Sequence, residues 1–331
     1  MEADAASVKR YAEQGFFPPR MAKIIEDFYD CYLKAIPSSQ KEEGRQLLKQ
    51  WLELVVKHIK ISYAFEIFHQ AVRQPFDYYQ FGLDLIRPLV DFDHSQVLGK
   101  NQLKKIDEQI QINENVILLA NHQTEPDPQI ISLLLEKEYP QLASEMIFVA
   151  GHRVISDPLA IPMSLGRNLL CIYSKKHMNH PPEEKSAKIL HNQRTMKKMV
   201  ELLSQGGHCI YVAPSGGRDR TNARGIVEVA AFDPDSLELF WLLAKQADRL
   251  THFYPLALKT YDLMPPPNRV EKELGEKRLA AFTPVHLAFG EEVQMDIFPG
   301  SEQLDKPTKR IARANYIGNL VQEAVKKLEF F

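Results

Sequence analysis

Cysteine is scarce: three residues in 331, Cys31, Cys171 and Cys209, and no C-x-x-C pair. That excludes a disulfide framework, a zinc ribbon and a dithiol redox motif, and it suits a reducing compartment. Cys171 and Cys209 stand inside apolar runs and read as small core residues. Neither sign of charge dominates, since 41 Lys+Arg against 43 Asp+Glu leave a net −2. A chain-wide cationic footprint for nucleic acid is therefore missing, and any anion site has to be local. Long apolar runs are missing too: 116–120 and 130–135 fall far short of the ~20 residues a membrane span needs. The first five residues lack the basic and apolar regions of a secretory signal and the Arg-rich character of a transit peptide, so a soluble chain is expected. There is no Walker A loop, no dinucleotide fingerprint and no H-x-x-x-H or His/Asp ligand grouping, so no cofactor and no metal are expected.

What is present is ample apolar material, enough to exclude a disordered chain, in a length that suggests about two domains. The first 76 residues read as an all-helical N-terminal domain. Ile24, Ile25, Phe28, Tyr32 and Leu33 mark one amphipathic helix. A longer one is expected over 41–73, with Leu47, Leu48, Trp51, Leu54, Val55, Ile61 and Phe65 on a 3–4 repeat and Gln74-Pro75 as its stop. A linker is expected over about 74–95. Residues 77–331 then form a larger domain in which short apolar runs (116–120, 146–150, 169–173, 210–213, 253–258, 285–289) alternate with helical patterns (129–138, 184–203, 236–247, 308–328). That alternation predicts an α/β fold, a mostly parallel or mixed sheet covered by helices.

In such a sheet ligands gather outside the carboxyl ends of the strands. Four successive apolar runs end in polar clusters: 121–127, 151–153, 174–177 and 214–220, which suggests one crevice. In the first, His122 is the side chain best suited to take a proton near neutrality, and Asp127 can hold its other ring nitrogen. Asp127 also precedes Pro128 and a helical pattern, so it fits an N-cap, a role that can coexist with the first; Asp157-Pro158 shows the same signature with no histidine. In the last cluster Arg218 and Arg220 follow the Gly216-Gly217 turn, and their forks suit phosphate oxygens. With Lys176 and His177 they make four donors for one dianion, and Arg153 is a further candidate at the neighbouring strand end. The opposing reading leaves Lys175-Lys176 as a solvated pair and Asp219 as partner of an adjacent arginine. Ser215, within Ala213-Pro214-Ser215-Gly216-Gly217, approaches a nucleophile elbow, although 218–225 is a poor helix start.

These segments together, His122-x-x-x-x-Asp127, Ser174-Lys-Lys-His-Met178 and Ala213-Pro-Ser-Gly-Gly-Arg-Asp-Arg220, with Met264-Pro-Pro-Pro267 and Gly275-Glu-Lys-Arg278, make the chain resemble the soluble glycerol-3-phosphate acyltransferases of chloroplast stroma and chlamydial bacteria. The first motif is shared by a broad glycerolipid acyltransferase superfamily; the Lys-Lys-His and Gly-Gly-Arg-Asp-Arg segments narrow it. The resemblance implies His122 as general base, Asp127 as its partner, and Lys176, His177, Arg218 and Arg220 as holders of glycerol-3-phosphate. It implies an acyl chain on acyl carrier protein or coenzyme A as donor, lysophosphatidic acid as product, and no metal. His152 and the short loop 221–225 depart from the plant pattern, which favours a bacterial cytoplasmic member over a processed stromal one. Transient membrane contact is compatible with such a product. The rival expectations are a serine hydrolase using Ser215, a superfamily member with a lysophospholipid acceptor, and a phosphate- or lipid-binding protein without catalysis.

Overall fold

The structure, a computed structural model, describes residues 2–175, 178–267 and 275–331. Its strands are β1 (Phe68–His69), β2 (Gln96–Leu98), β3 (Asn115–Ala120), β4 (Ile147–Gly151), β5 (Asn168–Ile172), β6 (Cys209–Val212), β7 (Arg220–Thr221), β8 (Val227–Glu228), β9 (Thr251–Lys259) and β10 (His286–Phe289). β7 and β8 make a small antiparallel hairpin, and the other eight form one sheet in the order β1-β5-β4-β6-β3-β9-β10-β2. The run β5-β4-β6-β3-β9 is parallel throughout, whereas β1 on β5 and β10 on β9 are antiparallel. This is the mixed, mostly parallel α/β sheet expected from the sequence. The four strands whose ends carry polar clusters are neighbours in it, so those ends share one edge.

The helices are α1 (Glu2–Glu13), α2 (Pro19–Ala35), α3 (Lys41–Lys60), α4 (Tyr78–Ile86), α5 (Lys100–Gln111), α6 (Asp127–Leu135), α7 (Pro140–Glu145), α8 (Ile161–Ser164), α9 (Lys185–Gln205), α10 (Pro234–Gln246) and α11 (Lys306–Leu328). β3 is buried along its whole length because helices cover both faces, which is why it reads as an unbroken apolar run. Side chains alternate across it. Ile117 and Leu119 pack with Met199, Leu203, Phe240 and Ile317 from α9, α10 and α11. Val116, Leu118 and Ala120 pack with Leu103, Ile106, Ile131 and Leu135 from α5 and α6.

The N-terminal helices are helical for the expected reason, apolar residues on one face of each. Phe28 of α2 meets Trp51 of α3 edge-on, with ring centroids 5.3 Å apart. Two expectations fail nearby. α3 stops at Lys60, thirteen residues before Arg73, and Phe68-His69 pair with the edge of the sheet instead. The apolar spacing persists beyond Lys60, but Ala71 N donates to Asn168 Oδ1 (3.0 Å) and Val72 N to Leu165 O (2.8 Å), so tertiary pairing overrides helix periodicity. The expected linker over 74–95 contains α4, capped by the Asp77 carboxylate accepting from Gln80 N at 2.9 Å. α4 is buried along most of its length, and Tyr32 of α2 donates its hydroxyl to Leu85 O at 2.8 Å. α2, α3, α4 and α8 thus share one apolar core with Ile130, Leu133 and Met264.

Gly166 permits this packing. A Cβ there would stand 2.3 Å from Tyr78 O and 2.7 Å from Tyr79 N, both backbone atoms that cannot step aside cheaply. Gly166→Ala is expected to cost about 1–3 kcal/mol by displacing α4 from the sheet, read from urea unfolding; a loss within ~0.3 kcal/mol would contradict this packing.

Candidate active site

The turn after β3 is built around a carboxylate. Asp127 is fully buried at the first residue of α6. Its Oδ2 accepts from His122 Nδ1 (2.8 Å) and Gln123 N (2.8 Å), while Oδ1 accepts from Thr124 N (3.2 Å), Thr124 Oγ1 (2.6 Å) and Thr260 Oγ1 (2.6 Å). Burial pushes the carboxyl pKa up, but the hydrogen bonds and charge of His122, with Thr124 and Thr260, outweigh it and hold the group below the ordinary range. The expected N-cap is not made: Pro126 occupies that position, and the Asp127 side chain reaches back into the turn rather than forward into the helix. An ionised Asp127 makes Nδ1 the donor, so the Nε2 lone pair of neutral His122 is left to accept a proton. The imidazole is about one-third exposed, enough to meet a substrate.

A second buried carboxylate, Asp219, ties this turn to the arginine loop. Its Oδ2 accepts from Asn121 Nδ2 (2.8 Å) and Gln123 Nε2 (3.2 Å), and Oδ1 from Ala230 N (2.8 Å). Its backbone N donates to His122 O at 2.6 Å. Burial pushes its pKa up, with those donors opposing the shift. Asp219 is therefore not the side-chain partner of an adjacent arginine: the donors its carboxylate accepts from are three amides. Gln123 completes the weave, its Oε1 accepting from Thr260 N (2.6 Å) and Tyr261 N (3.0 Å).

This stitching brings Arg218 and Arg220 beside the His122 backbone, but the two differ. Arg218 Nη2 is paired with Glu276 at 2.5 Å, and both side chains are largely buried. Arg220 spends Nη1 on Asp219 O (2.9 Å) and makes no ion pair among the described residues. Burial, then the like charge of Arg218, pulls its pKa down, with Glu276, Tyr261 and Asp219 opposing the shift. Arg278, fully buried, pairs with Glu125 at 2.8 Å and donates to Glu276 O at 2.8 Å. Lys176 and His177 lie outside the described residues. Lys175 is exposed and bound to Asp233 and Asp235, both at 3.1 Å. Arg153 sits in the 3-10 turn His152–Ile155 after β4, on the same sheet edge.

The serine hydrolase expectation fails on geometry. Ser215 Oγ donates to Gly217 O at 2.9 Å, Gly216 rather than Ser215 has positive φ (63°), and the β7–β8 hairpin follows where an elbow needs a helix. Asn121, Gln123, Asp219, Thr260, Glu276 and Arg278 were not singled out as site residues from the sequence. Asp157 is more than a cap as well: its Oδ2 accepts from Gly275 N at 2.9 Å, anchoring the segment that delivers Glu276 and Arg278. Next to Glu125 and Pro126 lies a mainly apolar cavity of about 80 Å³, walled by Trp51, Phe148, Leu159 and Met163. Among the described residues no group of three or more His, Cys, Asp or Glu is arranged to hold a metal ion.

Residues 96–259, which carry the His122–Asp127 turn and both arginines, match the family model described as Acyltransferase. The chain is 39% identical over 317 residues to the chloroplastic glycerol-3-phosphate acyltransferase of Arabidopsis thaliana, covering 94% of this chain and 69% of that protein. The chain belongs to the glycerol-3-phosphate acyltransferase family. It is also 43% identical over 293 residues to the chloroplastic glycerol-3-phosphate acyltransferase of Spinacia oleracea, and 42% over 294 residues to the chloroplastic glycerol-3-phosphate acyltransferase ATS12 of Cucurbita moschata. Each match covers 87% of this chain, which spans just under two thirds of those relatives (62% and 64%). No helix among the described residues is long and apolar enough to cross a membrane.

At this acyltransferase-family site one further histidine is held neutral. His152 stacks on Tyr173 (4.1 Å between centroids) and its Nε2 is 2.9 Å from the Tyr173 hydroxyl. Burial, with His191 and Lys188 nearby, pushes its pKa down to about 4. An unfolded histidine titrates near ~6.5, so between these values the unfolded chain binds the extra proton and His152 makes stability fall as pH drops. The His152 ring resonances are expected to keep their neutral shifts from pH 8 down to about 5; a midpoint above pH ~6 would contradict the assigned environment.

Proposed function

We propose that this chain transfers a fatty acyl group from a thioester, on acyl carrier protein or coenzyme A, to the sn-1 hydroxyl of glycerol-3-phosphate, giving lysophosphatidic acid. His122 Nε2 takes the hydroxyl proton as that oxygen attacks the thioester carbonyl. The new C–O bond forms, the C–S bond breaks, and the imidazolium returns the proton to the leaving thiolate. Asp127 holds the ring in the accepting tautomer and stabilises its charged form. Because a thioester is already activated, no acyl-enzyme and no cofactor are needed. The base accounts for about 10²–10⁴-fold in rate, and alignment of the bound alcohol adds to it.

The observation that carries this reading is the His122–Asp127 pair joined through Asp219 to a half-buried Arg220 that makes no ion pair among the described residues. Arg220 is the principal phosphate donor on this account. Lys176, His177 and Arg218 contribute, Arg218 from within its pairing to Glu276, with Arg153 as a secondary contact. Phosphate lies remote from the reacting oxygen, so its binding energy goes into orientation. The cavity beside Glu125 takes the acyl chain. We place the activity in a bacterial cytoplasm; the plastid stroma, matching the word chloroplastic in the relatives' names, is the alternative that fractionation of the source cells separates.

Thiol release from acyl-carrier-protein and acyl-coenzyme A donors, with and without glycerol-3-phosphate, tests the proposal. Release that requires glycerol-3-phosphate is expected; release only with lysophosphatidate would assign a different acceptor, and binding with no release would remove catalysis. Arg220→Ala is expected to raise KM for glycerol-3-phosphate by about 10–100-fold with a smaller change in kcat, and Arg218→Ala to raise it less because Glu276 already shares that charge. Equal and negligible changes in both variants would remove the phosphate clamp. Asp127→Asn is expected to lower kcat at unchanged KM, since it removes the acceptor that fixes the His122 tautomer.

A further inference from the structure

The cavity beside α6 is bounded by a charged group that the reaction does not use. Arg167, the residue before β5, is 3% exposed and lines the cavity with Phe148, Ala160, Met163 and Leu169. Its Nη1 donates to Ser132 Oγ at 2.6 Å, and that hydroxyl is itself spent on Ala143 O at 2.7 Å. Among the described residues Nε and Nη2, both buried, have no hydrogen-bond partner, and no carboxylate pairs with them. The guanidinium carbon lies 4.8 Å from the Tyr79 ring centre, and Arg73 lies 3.9 Å from the same ring, so the neighbouring charge is of like sign. Burial foremost, with Arg73 adding to it and Tyr79 opposing, pushes Arg167 down to about 10, still cationic at neutrality.

The cavity therefore has two unlike ends. Phe148 of β4 pairs with Leu169 of β5, and Ala150 with Cys171, so the Arg167 backbone lies four residues below the Ala150 level. At ~3.3 Å per residue that is ~13 Å along the sheet, away from the edge where Glu125 and Arg278 border the cavity. Between those levels the walls are almost entirely apolar. Arg167 is thus a cation at the cavity wall that is already short of acceptors. An alkyl chain that reaches the guanidinium brings no acceptor and shields the charge further; binding then weakens by about tenfold or more.

We propose that Arg167 is the end-stop of the acyl-chain cavity, a specificity-determining residue that admits chains ending short of its guanidinium and penalises saturated chains that touch it. The inference rests on the acyl-transfer reading above. It is tested with the full chain by measuring kcat/KM for a series of saturated acyl thioesters of increasing length, in wild type, Arg167→Met, Arg167→Leu and Arg167→Lys. Replacing a buried unpaired charge by an apolar side chain of similar volume is tolerated or stabilising, so Arg167→Met is expected to fold; Arg167→Leu repeats the measurement independently. Both apolar variants are expected to raise kcat/KM for chains beyond the wild-type cut-off, relative to chains below it, by about tenfold, and Arg167→Lys to keep the wild-type profile. An unchanged length profile, or a uniform loss across the series, in both apolar variants overturns the end-stop while leaving acyl transfer standing. Absence of transfer by wild type at every chain length overturns the acyl-transfer reading and the end-stop with it.

Discussion

The site depends on the burial of one carboxylate. A buried, ionised Asp127 without partners would cost several kcal/mol, and five donors from His122, Gln123, Thr124 and Thr260 converge on it instead. The same bonds that make the charge tolerable fold the turn, orient the imidazole and tie β9's end to the start of α6. Asp219 repeats the device one loop away. It fastens Asn121 and Gln123 by side chain and His122 by backbone, so the His122 turn and the arginine loop are tied to each other.

The cations around this network are graded by their company. Arg278 is buried and paired with Glu125, and Arg218 is tied to Glu276; these two organise the segment that Asp157 anchors through Gly275. Arg220 makes no ion pair among the described residues and follows Asp219, whose backbone is bonded to that of His122. On the other side of the His122 turn the walls become apolar around Trp51, Phe148 and Met163 until Arg167 interrupts them. An imidazole, a cation and an apolar slot are what the proposed joining of an alkyl thioester to a phosphorylated alcohol calls for.

Much of this was legible from residues alone, because parallel strands buried on both faces leave continuous apolar runs, and the polar clusters that end four of them mark one edge. His122, Asp127, Arg218 and Arg220 stood out there by residue type. The contact of Asp127 with His122 is legible too, but the rest of its role and that of Asp219 are not: a carboxylate before a proline also reads as a cap, and one between arginines as their partner, whereas both accept mainly from amides and hydroxyls brought together by the sheet. Glu276 is 58 residues from Arg218, and no spacing rule links them. The end of α3 is misplaced and α4 is taken for linker for a related reason, since pairing at the sheet edge and the Asp77 cap decide these segments.

The most direct measurement is single-turnover acyl transfer from a saturating acyl thioester to glycerol-3-phosphate by His122→Ala, with glycerol-3-phosphate affinity and circular dichroism measured on the same sample. A rate lower by about 10²–10⁴-fold is expected, with affinity and fold retained. Transfer within a few-fold of wild type would contradict it, because the proton would then leave by a route that does not pass through this imidazole.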